Sequence, residues 1–214
     1  MARKTVFMYV QDTLADWEPG FATSQLNSGS YFRDPGESRP VKTFGLTKVP
    51  AVTAGGVTVM PDLTIEEVSP DGAALLMLIG GDTWFEAKHG PVLEKARSFL
   101  AADIPVAAIC GATVALAQAG FLDHQPHTSN DLGYLKATCP AYAGEAHFKE
   151  EPAVTAGNLI TASGVAPLEF AYHILRKLDV FRTETLEAWY RLYSTHEGRY
   201  FFELMQSLPE RAGA

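Results

Sequence analysis

Residues 104–122, IPVAAICGATVALAQAGFL, constrain the architecture of this chain more than any other stretch. Their length and apolarity suit a membrane span, but Pro105 stands near the start, Gly111 interrupts the middle, and the flanking AAD and DHQPH carry no positive-inside bias. One continuous buried helix fits little better. IPVAAIC places β-branched residues at Ile104, Val106 and Ile109 and reads as a short buried strand. Past Gly111 the sequence ATVALAQAG is strongly helical and stops at Gly120, a suitable C-cap. The stretch is therefore read as strand, sharp turn and helix, with Cys110 on the turn.

The same alternation runs through the rest of the chain. KTVFMYV reads as a first strand, EPGFATSQLNSG as a helix closed by Gly29, and VKTFGL as a second strand. GVTVMPDLTIEEV suggests a short strand and a turn, with Asp62 and Asp71 as caps. GAALLMLIGGD is a buried strand ended by Gly80 and Gly81, and GPVLEKARSFLAAD is an amphipathic helix with Pro91 in its first turn. EEPAVTAGNLITASG reads as a hairpin about AGN, and APLEFAYHILRKL as a further helix. Strands alternating with helices imply a mostly parallel sheet covered on both faces.

Composition narrows the function. At 214 residues, 47% hydrophobic and 20% charged, the chain is long and apolar enough for one sizeable core. A net charge of −8 disfavours nucleic-acid binding, since nothing neutralises a phosphate backbone. The opening MARKTVFMYV has basic residues before an apolar run, but the run is short and lacks a small-residue cleavage site, so no signal peptide is expected. Two cysteines, Cys110 and Cys139, are too few for a disulfide framework and fit a reducing cytoplasm. The histidines show no paired ligand spacing, so neither a metal nor a cofactor is expected. No membrane association is expected either.

A nucleophile between a buried parallel strand and the following helix sits on a strained turn at the carboxyl edge of the sheet, where α/β folds bind ligands. Gly111 lets a backbone amide approach a reacting oxygen, and the helix N-terminus favours thiolate, which lowers a cysteine pKa from about 8.5 towards about 4–7. The competing reading of Cys110 is a small buried core residue.

The segments AAICGATVALAQAGFLD, LMLIGGDTW, DWEPGFATSQLN and NLITASGVAPLEFAYHILRKL resemble the ThiJ/PfpI family of the class I glutamine amidotransferase-like superfamily, which includes the Parkinson-disease-associated deglycase. The resemblance implies a flavodoxin-like three-layer sandwich over residues 1–178 with the cysteine on a nucleophile elbow. Residues 179–214 then form a C-terminal helical extension, packed on the same domain or on a partner subunit. It also implies that Cys110 is the nucleophile and that Glu18, in DWE, reaches the sulfur as hydrogen-bond partner and proton shuttle. Sharing a proton with a sulfur anion raises a carboxyl pKa and suits it to acid–base work. Without the resemblance, Glu18 reads equally as an acid favoured by a helix dipole. Gly81, with Gly80 beside it, matches the glycine loop whose amide joins that of Gly111 in an oxyanion hole; alone, the pair reads as a turn.

The departures bear on activity. Gly111 stands where many members place a histidine directly after the cysteine, and in HQPHTSND it is Asn130, rather than His127, that falls at another usual histidine position. A lone His127 also reads as a hydrogen-bonded structural group, and Asn130 as an amide that polarises a carbonyl or orients water. Trp84, after GGD, either walls a pocket or packs in the core. The glutaminase pattern of a late His-x-Glu pair is absent. The tail carries Phe181, Trp189, Tyr190, Tyr193, Tyr200, Phe201 and Phe202, which cover the sheet or face a second copy; a homodimer is expected. The expected activity is cysteine-dependent chemistry on a small electrophilic molecule: a hydratase, or a glyoxalase- or deglycase-like enzyme. The alternatives are a non-catalytic redox or stress sensor and an amidotransferase-like protein without its own glutaminase triad.

Overall fold

The computed structural model describes residues 4–209. β1 (Thr5–Tyr9) leads into α1 (Gly20–Ser28), which ends on Gly29 with a left-handed φ of 62°. β2 (Val41–Gly45) is followed by an antiparallel hairpin of β3 (Ala51–Val52) and β4 (Thr58–Val59), then by β5 (Leu63–Thr64) and β6 (Ala73–Leu78). α2 (Gly90–Ala101), β7 (Val106–Ile109), α3 (Gly111–Gln118) and α4 (Leu132–Thr138) come next. β8 (Ala153–Ala156), β9 (Leu159–Ala162), α5 (Pro167–Lys177), α6 (Thr183–Thr195) and α7 (Arg199–Gln206) complete the order.

Seven strands form one sheet in the order β5-β2-β1-β6-β7-β9-β8, parallel throughout except for the β8–β9 hairpin. Every residue of β6 is buried, because successive side chains enter opposite cores. Leu75 and Met77 join Leu26, Phe170 and Trp189 on one face, while Leu76 and Leu78 join Phe99 and Leu116 on the other. Each such side chain contributes roughly 1.5–3 kcal/mol on burial. The fold is thus the expected flavodoxin-like sandwich.

Trp189 of α6 is fully buried in the first core, and α6 is tied to α5 by Tyr172 Oη donating to Glu187 and Tyr190 Oη donating to Glu169. Phe201 and Phe202 of α7 stay exposed.

Two local expectations fail. Asp62 caps no helix; it accepts from the Thr43 amide and hydroxyl and so staples β2 to the chain entering β5. The 3-10 turn Ile65–Glu67 is capped by Thr64 and Glu67 as a reciprocal box, and Asp71 caps nothing. The segment after α3 makes a single bridge from His127 to Phe148, and the short helix α4 follows, capped by Asp131. No helix among the described residues is long and apolar enough to cross a membrane.

Candidate active site

The carboxyl ends of four neighbouring strands, β1, β6, β7 and β9, supply the loops that converge on Cys110. Cys110 lies between β7 and α3 with φ 58° and ψ −126°, a left-handed conformation that costs a non-glycine residue roughly 1–3 kcal/mol. Its amide donates to Ala162 of β9, and Thr113 Oγ donates to its carbonyl at 2.6 Å while also meeting Ser129 Oγ at 2.7 Å. Both bonds hold the turn in that strained state.

Glu18 arrives on the loop after β1 and is completely buried. Its Oε2 accepts from the Gly80 amide at 2.6 Å, while Oε1 is buried without any such donor and faces the cysteine. Burial raises the carboxyl from its ordinary 4.5 to about 7, against lowering contributions from the Gly80 bond and from the nearby Cys110 thiol.

The approach is close enough to dictate glycine at two positions. A Cβ on Gly80 would lie 2.7 Å from Cys110 Cβ and from both Glu18 oxygens, and a Cβ on Gly164 would lie 2.7 Å from Cys110 Sγ. Gly81 stands next to Gly111: a Cβ on Gly111 would meet the Gly81 carbonyl oxygen at 2.8 Å and its nitrogen at 3.5 Å. The Gly80 amide is committed to Glu18, so of the two loop glycines it is Gly81 whose amide stands free beside Gly111 as a candidate partner for a developing anion.

Asn130 Nδ2 donates to Cys110 Sγ at 3.4 Å. His127 does not take part: its Nδ1 bonds the Gln125 carbonyl and its Nε2 bonds Tyr142 Oη at 2.6 Å, so both ring nitrogens are spent on holding the loop. Trp84 is a core residue that also lines a separate cleft with Phe85 and Leu93, not the one beside Asn130. It is 3% exposed, donates to the Ile79 carbonyl, and packs against Gly111 and against the rings of Tyr9 and His89.

The thiolate expected from the helix N-terminus is also corrected. Burial, together with the charge of Glu18, pushes the Cys110 thiol above its usual value, against a lowering contribution from the Asn130 bond. At neutral pH the site therefore rests as a thiol beside a carboxyl whose raised pKa lies near neutrality.

Two further residues at the site were not anticipated. Gly164 donates to Asn130 Oδ1 at 2.8 Å and accepts from Nε1 of the solvent-exposed Trp17 at 3.0 Å, which ties Trp17 to the glycine packed against the cysteine. A glycine two residues past a buried strand end, in ASG, and an aromatic next to Glu18, in DWE, were the available signals. On the Asn130 side opens a cleft of about 500 Å³, lined by Ser129, Asn130, Phe148, Val165 and Glu169 among others, a volume suited to a small molecule.

Together, the parallel sandwich and the cysteine on the turn after a central strand define a flavodoxin-like α/β protein with a candidate site around Cys110. The DJ-1/PfpI family pattern matches residues 4–177, and the chain belongs to that family. It is 45% identical over 208 residues to a Bacillus subtilis relative named as the uncharacterized protease YoaZ, covering 97% of this chain and 99% of the relative. A crystal structure of a thiJ/pfpI family protein from Bacillus anthracis superposes with a TM-score of 0.93 at 45% identity, over 98% of this chain and 99% of that one. The DJ-1 superfamily protein Atu0886 from Agrobacterium tumefaciens follows at 0.78 and 30% identity, over 90% and 98%.

Proposed function

We propose that this protein is a cysteine-dependent enzyme acting by addition on a small electrophilic carbonyl compound. The observation that carries the reading is the pairing of Cys110 with a fully buried carboxyl raised to about 7, with an amide donor rather than an imidazole on the other side of the sulfur. A base poised near 7 is matched to neutral-pH proton transfer. As the S–C bond forms, Glu18 takes the thiol proton, the carbonyl electron pair moves to oxygen, and the amides of Gly81 and Gly111 meet the developing anion. Glu18 then returns the proton to that oxygen, giving a neutral hemithioacetal, so the addition is proton-neutral.

Peptide hydrolysis, which the name of the Bacillus subtilis relative YoaZ suggests, needs an acid that protonates a leaving amine. Glu18 is the titratable group beside Cys110 and carries both duties, which favours additions and rearrangements without an amine leaving group.

The test is a screen of methylglyoxal, glyoxal, isonitriles and glutamine with wild type beside Cys110→Ala. Carbonyl turnover that disappears with the cysteine supports the reading; turnover surviving in Cys110→Ala, or glutamine as the preferred substrate, overturns it.

A further inference from the structure

A buried polar chain lies behind the site, and the proposed mechanism leaves it unused. Tyr9 Oη, on β1, meets His89 Nδ1 at 2.9 Å; His89 Nε2 meets Thr83 Oγ1 at 3.1 Å; and Thr83 Oγ1 lies 3.2 Å from Gln11 Oε1 and 3.4 Å from the Asp12 carbonyl. Gln11 Nε2 in turn reaches the Ile79 carbonyl at 3.5 Å. Tyr9, Gln11 and His89 are buried, and burial holds the imidazole below its ordinary pKa and the phenol above its own.

The direction of these bonds follows from their chemistry. Gln11 Oε1 and the Asp12 carbonyl can only accept, so the Thr83 proton goes to one of them. Thr83 must then accept from His89 Nε2–H, which leaves Nδ1 to accept from Tyr9 O–H. Every link points the same way, from β1 towards the chain leaving β6.

That chain is the glycine loop. Gly81 is pinned between Gln11 and Gly111: a Cβ on Gly81 would lie 2.9 Å from Gln11 Nε2, and the Asp82 amide donates to Thr13 Oγ1 at 2.7 Å just beyond it. We infer that Tyr9, His89, Thr83 and Gln11 are positioning residues that fix the Gly80–Gly81 loop so that the Gly81 amide stays aimed at the anion formed on Cys110. The inference rests on the addition chemistry proposed above. It assigns these residues no contact with substrate.

The experiment compares wild type, Thr83→Val, Thr83→Ser and Tyr9→Phe in the full chain by three readouts. They are hydrogen exchange of the peptide spanning residues 79–83, the dissociation constant of the reversible methylglyoxal adduct on Cys110, and the rate of Cys110 alkylation by iodoacetamide. Alkylation displaces iodide and develops no oxyanion, so it reports the thiol alone. Thr83→Val should speed exchange and weaken the adduct, each by about tenfold, as expected when a donor is displaced by a fraction of its bond length, with alkylation within about twofold. Thr83→Ser, which keeps the hydroxyl, should restore both.

Unchanged exchange in a folded Thr83→Val overturns the positioning role, and faster exchange with an unchanged adduct overturns its link to the anion. If Thr83→Val fails to fold, Tyr9→Phe, which removes only the terminal donor, is judged by the same criteria. A wild type that forms no carbonyl adduct at all sinks the proposed function instead, and exchange alone then decides whether the chain holds the loop.

Discussion

The Gly164 amide donates to Asn130 Oδ1 at 2.8 Å, and this bond decides which end of the Asn130 side chain meets the cysteine. With its oxygen occupied, the amide presents Nδ2 to Sγ at 3.4 Å. An amide N–H stabilises negative charge on sulfur but cannot take its proton, so proton traffic at the site falls to Glu18.

Asn130→Asp should therefore act in the opposite sense to the native side chain. One carboxylate oxygen still accepts from Gly164, and the other turns a donor into an anion beside the sulfur, raising the thiol further. Alkylation of Cys110 at pH 7.5 should slow by about tenfold, and its pH midpoint should move up. Asn130→Ala should move it less. A midpoint in Asn130→Asp equal to or below that of wild type would mean that Asn130 does not face the sulfur in solution.

Iodoacetamide at neutral pH should label Cys110 well ahead of Cys139, for a reason of access rather than acidity. Burial raises both thiols. Cys139 is 1% exposed with its thiol turned to the Val114 carbonyl at 3.5 Å, whereas Cys110 is partly open. Peptide mapping after brief labelling checks this, and equal modification of the two would count against an accessible site.

The elements of the sheet were legible because their signals are local. The apolar run of β6 and the glycine-broken stretch around Cys110 needed only period and punctuation to be read. The site was legible in part. Cys110 and Glu18 are 92 positions apart in sequence, and only the family resemblance joined them. Asn130 and His127 could not be told apart, because which of two residues three positions apart faces the sulfur depends on the path of an irregular loop. That path is fixed by the Tyr142 hydroxyl and the Gly164 amide, both distant in sequence. Nor could the thiol's direction of shift be read: the helix N-terminus is visible in sequence, but the burial that outweighs it is not.

Glu18 also couples the site to stability. Its carboxyl is raised to about 7 in the folded chain from an ordinary 4.5. Below about pH 4.5 both folded and unfolded states hold the proton and the contribution is fully present. Between 4.5 and 7 the unfolded carboxyl ionises first, so stability falls with rising pH, by up to the order of 3 kcal/mol once both states are ionised. Glu18→Gln cannot ionise and should show a flatter profile, with a higher urea midpoint than wild type at pH 8 and a small difference at pH 4.5. Parallel profiles for the two proteins across this range would contradict the buried, proton-holding carboxyl. On a confirmed carbonyl substrate the same variant keeps a hydrogen bond but loses the shuttle, and turnover should fall by about a hundredfold or more.

Oxidation offers a test that needs no substrate. One peroxide molecule converts the thiol to a sulfenic acid with release of water, and a second converts that to a sulfinic acid with release of another. Because the resting group is a thiol, the first step needs a base at the moment of attack, and Glu18 becomes that base as pH rises through about 7. The rate of oxidation should rise across that range in wild type and lose this rise in Glu18→Gln. Once sulfinate has formed, its oxygens are acceptors, and a protonated Glu18, held near Sγ by the Gly80 amide, can donate to one of them. The intermediate is then stabilised against a third oxidation. Mild peroxide should accordingly add two oxygens at Cys110 while Cys139, closed off under α3, stays unmodified. Glu18→Asp, whose shorter side chain withdraws the carboxyl from the sulfur, should shift the products away from this two-oxygen stage. Intact-mass and peptide spectra showing no preference for Cys110, or a product distribution indifferent to residue 18, would separate the two groups chemically and remove the proton shuttle on which the proposed mechanism depends.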